Sequence, residues 1–355
     1  MDLKFCKTPR ETWDTMLADC RTARVSIEME QYIVADDPVG RTFLELFLQK
    51  LKEGVAVRLL LDRIGSREVF GSDLVQNIVR AGGLVEFYNP PGLMHLFRPA
   101  LWFPRNHTKT LLVDSEIAWI GGVCLDQDMA DWRDTQVRFT GPAIDQVVAH
   151  FSRRRAGWRT RFRRLVNPQF RPAGLPVEYI MHRPQLGLNP IYRELMKAIH
   201  GAKQSVSLVT PYFLAPFGLR RALAQAARRG VRVSIMMPAA SDVPLADCVS
   251  HSWFPWMYRK GIRIFLYQGT VLHAKYAVVD DTWATVGSTN LDYLSLRRNR
   301  EANIVIHDPA IVATLQGHYE EDLAHCAEAG RDYWRSLPLL YRILGYAGRS
   351  LRKLL

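Results

Sequence analysis

The chain has 355 residues, 48% of them hydrophobic and 23% charged. That composition excludes a disordered polyelectrolyte and leaves room for one large domain or two ordinary ones. A formal net charge of +12 points to an anionic partner, either nucleic acid or an anionic lipid face, without choosing between them.

Met1 to Arg10 is mixed polar and lacks the apolar core of a signal peptide. No apolar run reaches the roughly 18 residues of a membrane span. The expectation is a cytoplasmic protein whose membrane contact is peripheral. Cys6, Cys20, Cys124, Cys248 and Cys326 form no C-x-x-C pair, which argues for free thiols and against a zinc site.

Val25 to Tyr32 reads as a strand, followed by a helix from about Arg41 that Gly54 stops, then the buried strand Val55 to Asp62 and a further strand, Gly83 to Tyr88. Asn89 to Arg105 (NPPGLMHLFRPALWFPR) is rich in proline and large apolar residues. It is expected either as a surface loop or as a lip that meets acyl chains. Next come His107-Thr-Lys109, Asp114, Gly121-Gly122, Cys124 and Trp132-Arg-Asp134-Thr. Arg153 to Arg164 is densely basic, a solvated helix face or a contact for anionic lipid. Residues 165 to 190 carry Pro168, Pro172, Pro176, Pro184 and Pro190 and read as the junction of two halves.

The second half repeats the first. Ser205 to Val209 is a strand, a helix runs from about Phe217 to Gly230, and Val231 to Met237 and Gly261 to Tyr267 are strands. His273-Ala-Lys275, Asp280, Gly287-Ser288 and Asn290 follow, with Glu301 beyond them. Gly83 to His107 is 24 residues and Gly261 to His273 is 12, so the first half holds an insertion of 24 − 12 = 12 residues before its motif. Trp253 to Tyr258 is the counterpart candidate for the apolar lip, or a packed helix. Leu337 to Leu355 mixes leucines with Arg342, Arg349, Arg352 and Lys353, the make-up of an interfacial amphipathic helix or of a terminal helix docked on the core. The expected organisation is a first half over 1–170, a second over 171–335 and a basic tail over 336–355. The expected fold class is α/β, with two similar halves packed as an intrachain pseudo-dimer, each a mostly parallel sheet flanked by helices.

Both halves carry H-x-K-x4-D-x6-G-[GS]. One copy is weak; two, each embedded in matching strands, are strong. On a strand, His and Lys at i and i+2 project to one face, so twofold packing brings two histidines and two lysines together. A neutral imidazole can attack phosphorus while a protonated one supplies a leaving group with its proton. Lys109, Lys275 and Asn290 can stabilise the charge on the equatorial oxygens without a metal. Asp114 and Asp280 complete the motif, yet lie on the opposite face, where a supporting role fits better than a nucleophilic one.

The paired motifs resemble the phospholipase D superfamily. Thr210-Pro-Tyr-Phe213, Leu272-His-Ala-Lys275, Val286-Gly-Ser-Thr-Asn-Leu-Asp292 and Glu301-Ala-Asn303 are similar to bacterial cardiolipin synthases. The resemblance runs from about residue 20 to 335. It implies a catalytic set of His107, Lys109, Asp114, His273, Lys275 and Asp280, supported by Asn290, Ser288, Gly122, Asp134 and Glu301, with no metal or other cofactor. It implies His107 as nucleophile, His273 as general acid and then base, and Asp134 and Glu301 as acids that orient the histidines, without saying which serves which. Cys124 stands where the family carries asparagine. The implied reaction is phosphatidyl transfer from phosphatidylglycerol to give cardiolipin, on the inner face of the cell membrane. A phospholipase D-type hydrolase, or a nuclease on the same site, is the alternative, and the missing interleaved basic and aromatic pattern makes nucleic acid the weaker partner.

Overall fold

The computed structural model describes residues 2–90, 92, 102–155, 175–184 and 189–350. Its first half runs β1 (Leu3–Cys6), α1 (Pro9–Thr22), β2 (Ser26–Gln31), α2 (Pro38–Lys52), β3 (Ala56–Asp62), α3 (Asp73–Arg80), β4 (Leu84–Tyr88), β5 (Thr110–Val113), β6 (Ile117–Gly121), β7 (Gln136–Phe139) and α4 (Ile144–Arg155). The second half runs β8 (Val177–His182), α5 (Pro190–Gly201), β9 (Ser205–Val209), α6 (Phe217–Arg228), β10 (Arg232–Pro238), α7 (Pro244–Ser252), α8 (Phe254–Arg259) and β11 (Arg263–Tyr267). It continues with β12 (Tyr276–Val279), β13 (Trp283–Gly287), α9 (Tyr293–Arg297), β14 (Glu301–Ile306), α10 (Pro309–Leu323), β15 (Cys326–Glu328), α11 (Tyr333–Ser336) and α12 (Leu339–Gly348).

The two sheets have orders β1-β7-β6-β5-β2-β3-β4 and β8-β14-β13-β12-β9-β10-β11-β15. Strand for strand these are one topology, with β15 added at the second edge, so the repeat read from sequence is a repeat of fold. The sheets are mixed rather than mostly parallel. Only β2-β3-β4 and β9-β10-β11 pair in parallel, and the motif strands pair antiparallel. The reason is connection length. A parallel neighbour needs a crossover helix, whereas β5–β6 and β12–β13 are joined by tight turns.

Helix starts follow a recurring rule. Thr8-Pro9, Asp37-Pro38, Asn189-Pro190 and Asp308-Pro309 each set an N-cap side chain before a proline in the first turn, and each cap oxygen accepts a backbone N–H. Such caps contribute about 1 kcal/mol each. Gly54 and Gly230 follow α2 and α6 at φ +89° and +90°, a region that favours glycine.

Alternation on the strands builds the layers. Leu111, Val113 and Trp119 face the helices of the first half, while Ala277 and Val279 face those of the second. Leu112, Ala118 and Ile120 instead pack with Tyr276, Val278, Ala284 and Val286 in a core common to both sheets. The halves therefore meet sheet to sheet, and the motif strands lie in the middle of that contact. The residue 170/171 boundary falls outside the described residues, as does most of the proline-rich junction and of the arginine-rich stretch. Among the described residues, no helix is long and apolar enough to cross a membrane.

Candidate active site

His107-Thr-Lys109 and His273-Ala-Lys275 precede β5 and β12 as extended segments rather than lying within the ladders. Each is fastened to the other half. His107 N–H donates to Arg300 O (3.0 Å) and Arg300 N–H to Arg105 O (2.9 Å). In the mirror arrangement His273 N–H donates to Arg133 O (2.8 Å) and Arg133 N–H to Val271 O (2.9 Å). In both cases the residue after the arginine is the acid. The acids therefore cross over: His107 Nδ1 lies 2.9 Å from Glu301 Oε1, and His273 Nδ1 lies 2.7 Å from Asp134 Oδ2. Each imidazole is held by the opposite half, which leaves its Nε2 for chemistry.

Both lysines are 1% exposed. Lys109 Nζ donates to His107 O (2.9 Å) and sits 5.1 Å from the centre of the Tyr32 ring, while Lys275 Nζ donates to His273 O. Burial, then the charges of Lys109, Lys275 and His273, holds His107 well below the usual imidazole range. Burial and Lys275 lower His273, against the pull of Asp134. Burial, only partly offset by Asp134, brings Lys275 down to about 8. The four motif side chains thus form one electrostatic centre.

The two acids differ. Burial alone would raise Asp134, but Lys275 and His273 hold it below the usual carboxylate range. Burial pushes Glu301 up to about 8, against Lys109 and Ser288. Local construction matches the difference. Ser288 Oγ donates to Glu301 Oε2 and in turn accepts Ala302 N–H (3.1 Å). The equivalent Gly122 carries no side chain, and a Cβ there would lie 2.2 Å from Asp134 Oδ1. Asp134 Oδ1 accepts Thr135 N–H instead, at 2.7 Å.

Asn290 is buried beside the site, hydrogen-bonded to Asp292, and its Oδ1 has no partner among the described residues. Cys124 is buried too. Burial raises its thiol, and the charges of both Lys109 and Lys275 act on it, so it does stand in the centre where the first half lacks an asparagine.

Asp114 and Asp280, which the motif places in the catalytic set, are engaged at the far ends of their strands. Each follows its strand at φ 52°, about 16 Å along the chain from its lysine at ~3.3 Å per residue. The Asp114 carboxylate accepts the N–H groups of Arg24, Val25 and Ser26, all at 2.8 Å. Asp280 does the same for Lys203, Gln204 and Ser205 at 2.7–2.9 Å. They lock the β5–β6 and β12–β13 turns to the starts of β2 and β9.

Several site residues escaped the sequence reading. Asp62 binds the Arg105 guanidinium through both oxygens (2.6–3.1 Å) and accepts Asn106 N–H (2.8 Å), which anchors the end of the insertion beside His107. Arg300 donates to both Glu30 oxygens at 3.1 Å, and Thr108 and His150 meet the same carboxylate at 2.9 Å. Arg133 pairs with Asp322 at 2.7–2.8 Å. The only local signal was that an arginine precedes each acid. Of the candidate lips, Trp253–Tyr258 forms α8 and buries Phe254 and Met257 in the core, while residues 93–101 of the insertion lie outside the described residues. Among the described residues, no group of three or more His, Cys, Asp or Glu is disposed to hold a metal ion.

Residues 195–323 match a sequence family described as "Cardiolipin synthase, PLD-like domain". The chain is 29% identical to the probable cardiolipin synthase YwiE of Bacillus subtilis, over 91% of this chain and 66% of that protein. It is 29% identical to the major cardiolipin synthase ClsA of B. subtilis (98% and 74% covered) and 28% to cardiolipin synthase 1 of Staphylococcus aureus strain COL (93% and 69%). It thus spans about two thirds to three quarters of these relatives. In fold it is similar to the phosphatidylserine synthase of Haemophilus influenzae Rd KW20, with a TM-score of 0.82 at 15% identity over 99% of this chain and 95% of that one. Polyphosphate kinase of Porphyromonas gingivalis follows at 0.61 and 15% identity, over 91% and 50%.

Proposed function

We propose that the chain, similar in sequence to cardiolipin synthases and in fold to a phosphatidylserine synthase, is an enzyme of the phospholipase D superfamily that joins two phosphatidylglycerol molecules into cardiolipin and releases glycerol. His107 Nε2 attacks the donor phosphorus. The bond from phosphorus to the glycerol oxygen breaks, and His273 gives that oxygen its proton. A phosphatidyl-histidine remains, joined through an N–P bond. A hydroxyl of the second phosphatidylglycerol then loses its proton to His273 and attacks phosphorus, and the N–P bond breaks to free His107. Lys109 and Lys275 face the equatorial oxygens, and the Asn290 side-chain amide N–H is a further donor toward them. The work is done peripherally, on the inner face of the cell membrane.

The observation that carries this reading is the crossed pairing of His107 with Glu301 and of His273 with Asp134. Asp134, held ionised, favours an imidazolium at His273, the proton donor. His107, whose imidazole is held below its usual range by burial and then by the charges of Lys109 and Lys275, is the nucleophile. The names of the relatives support the phosphatidyl group and the lipid acceptor.

The test is purified protein with phosphatidylglycerol vesicles and EDTA, read by lipid mass spectrometry beside His107→Ala. Cardiolipin and free glycerol from the unmodified protein alone are expected. Phosphatidic acid in their place would make the enzyme a hydrolase that uses water as acceptor, and the absence of any lipid product would overturn the assignment.

A further inference from the structure

Helix α12 is built inside out for a surface helix. Leu339, Leu340, Ile343 and Leu344, spaced to lie along one face, are 68, 68, 54 and 45% exposed. Its small residues point inward instead. A Cβ at Gly345 would lie 2.3 Å from Cys248 O, and one at Gly348 would lie 2.5 Å from Val249 Cγ2, so only glycine allows this approach to α7. The seat is fixed by polar contacts. Tyr341 Oη meets His251 Nδ1 at 2.9 Å, Trp334 Nε1 donates to Tyr346 Oη at 3.1 Å, and Arg349 Nε donates to Ser252 Oγ at 2.8 Å. The leucines are therefore held outward by a docked helix. Leu245 of α7, 39% exposed and within 3.9 Å of a Cβ built at Gly348, continues the patch.

The patch stands beside the reaction centre. Ser250 of α7 accepts Phe213 N–H at 3.0 Å, and Leu214 N–H donates to Leu291 O at 3.1 Å, next to Asn290. Asp242, just before α7, bonds Tyr212, and its charge acts on both His273 and Lys275. Within residues 331–350, Arg331, Arg335, Arg342 and Arg349 stand against Asp332, and Asp247 of α7 is a second, mostly buried acid near Tyr341. At 10 residues, α12 is about 15 Å long at 1.5 Å per residue, suited to lying in an interface and not to crossing it.

We propose that the outer face of α12, together with Leu245, seats this enzyme on an anionic lipid bilayer. The choice of a bilayer rests on the lipid reaction proposed above. A second copy on the same face would bring like-charged arginines together, whereas anionic headgroups accept them. Seated this way, the leucines enter the acyl boundary, Arg342 and Arg349 stay at headgroup level, and the end of β9 turns its site toward the lipid.

The test is flotation of the full chain with vesicles of phosphatidylcholine alone or mixed equally with phosphatidylglycerol, compared with the combined Leu340→Ser, Ile343→Ser and Leu344→Ser variant and with single Ile343→Glu. The unmodified chain is expected to favour the anionic vesicles, and both variants to lose about ten-fold or more of that binding. Thermal melting, and turnover of short-chain phosphatidylglycerol below its micelle concentration, should stay unchanged. Flotation needs no turnover, so it decides the seat even if the product is not cardiolipin. Undiminished flotation of a folded variant would overturn the proposal. So would equal binding to both vesicles, or a solution dimer of the unmodified chain that the variants convert to monomer.

Discussion

His107 Nδ1 and the Glu301 carboxylate meet at 2.9 Å although 194 residues separate them. His273 and Asp134 repeat the contact at 2.7 Å across 139 residues in the opposite sense. Neither half holds a complete histidine–carboxylate pair of its own. Packing of the repeats, with their sheets face to face, is what brings each histidine to its acid.

Removing the charge of an orienting acid should therefore damage catalysis while leaving the fold. Glu301→Gln and Asp134→Asn keep the shape of each side chain but change which imidazole nitrogen carries the proton. Losses of about 10²–10⁴-fold in kcat are expected, measured by cardiolipin formation under saturating lipid. If the two variants retained activity within a factor of two, the pairs would be structural only.

The two acids also set a pH profile. Attack by His107 needs its Nδ1–H donated to an ionised Glu301, leaving Nε2 unprotonated. Burial pushes Glu301 up to about 8, so this form is scarce at lower pH and accumulates as pH rises through that value. Lys275, brought down to about 8, loses its positive charge over the same range. A bell is expected for kcat, its rising limb following ionisation of Glu301 and its falling limb the loss of the His273 proton and of the Lys275 charge, both limbs belonging to the coupled site and not to any group alone. Glu301→Gln should flatten the rising limb. A rising limb that survives Glu301→Gln unchanged would remove Glu301 from the titration.

Asp114 and Asp280 should act on stability. Each accepts three backbone N–H groups, and substitution by alanine leaves those donors to water or unpaired, a cost of about 1–3 kcal/mol at each site. Burial alone would raise Asp114; the N–H groups of Ser26, Arg24 and Val25 outweigh it and hold the carboxyl below its usual value. The native state thus binds fewer protons than the unfolded chain. The stabilisation is complete above the usual carboxylate pKa and lost as pH falls through the depressed one. Thermal melts of Asp114→Ala and Asp280→Ala against pH check this. Turnover per folded molecule, measured well below Tm, should stay near that of the unmodified enzyme; a fall as deep as that of Lys109→Ala would put the aspartates back in the reaction.

The topology was legible because each half repeats local signals: glycine at the helix end, an apolar strand, then the histidine motif. Strand direction was less so. The tight turn after Val113 makes β5 antiparallel to β6, but nothing within Val55–Asp62 or His107–Asp114 shows that the first lies parallel and the second antiparallel to β2. The motif residues announced themselves by repetition, but their partners did not. Glu30 lies inside an ordinary strand and meets Arg300 across 270 residues, a contact written in no local spacing. Asp114 shows the opposite case: its place in the motif is plain from spacing, whereas the three N–H groups it accepts from the start of β2 are not. Leu339, Leu340, Ile343 and Leu344 had the right composition for two fates, packing or exposure, and the glycines on the other face decided between them.

Gly122 offers the sharpest check on how the site is assembled. Its counterpart Ser288 uses a hydroxyl to hold Glu301, whereas at Gly122 the Asp134 carboxylate fills the space itself. A methyl group there would stand 2.2 Å from Asp134 Oδ1, too close to keep, and Asp134, buried just ahead of β7 with its N–H donated to Lys7 O at 3.1 Å, has its backbone tied in place. The carboxylate must swing from His273 Nδ1. Gly122→Ala is therefore expected to lower kcat about 10²-fold, the scale of a displacement near 1 Å in a catalytic group, while binding of phosphatidylglycerol vesicles is unaffected. Gly317 of α10, whose Cβ would meet nothing within 4 Å, provides the control: Gly317→Ala should leave turnover unchanged. If Gly122→Ala matched that control, Asp134 would be free to rearrange and would not be the group that positions His273.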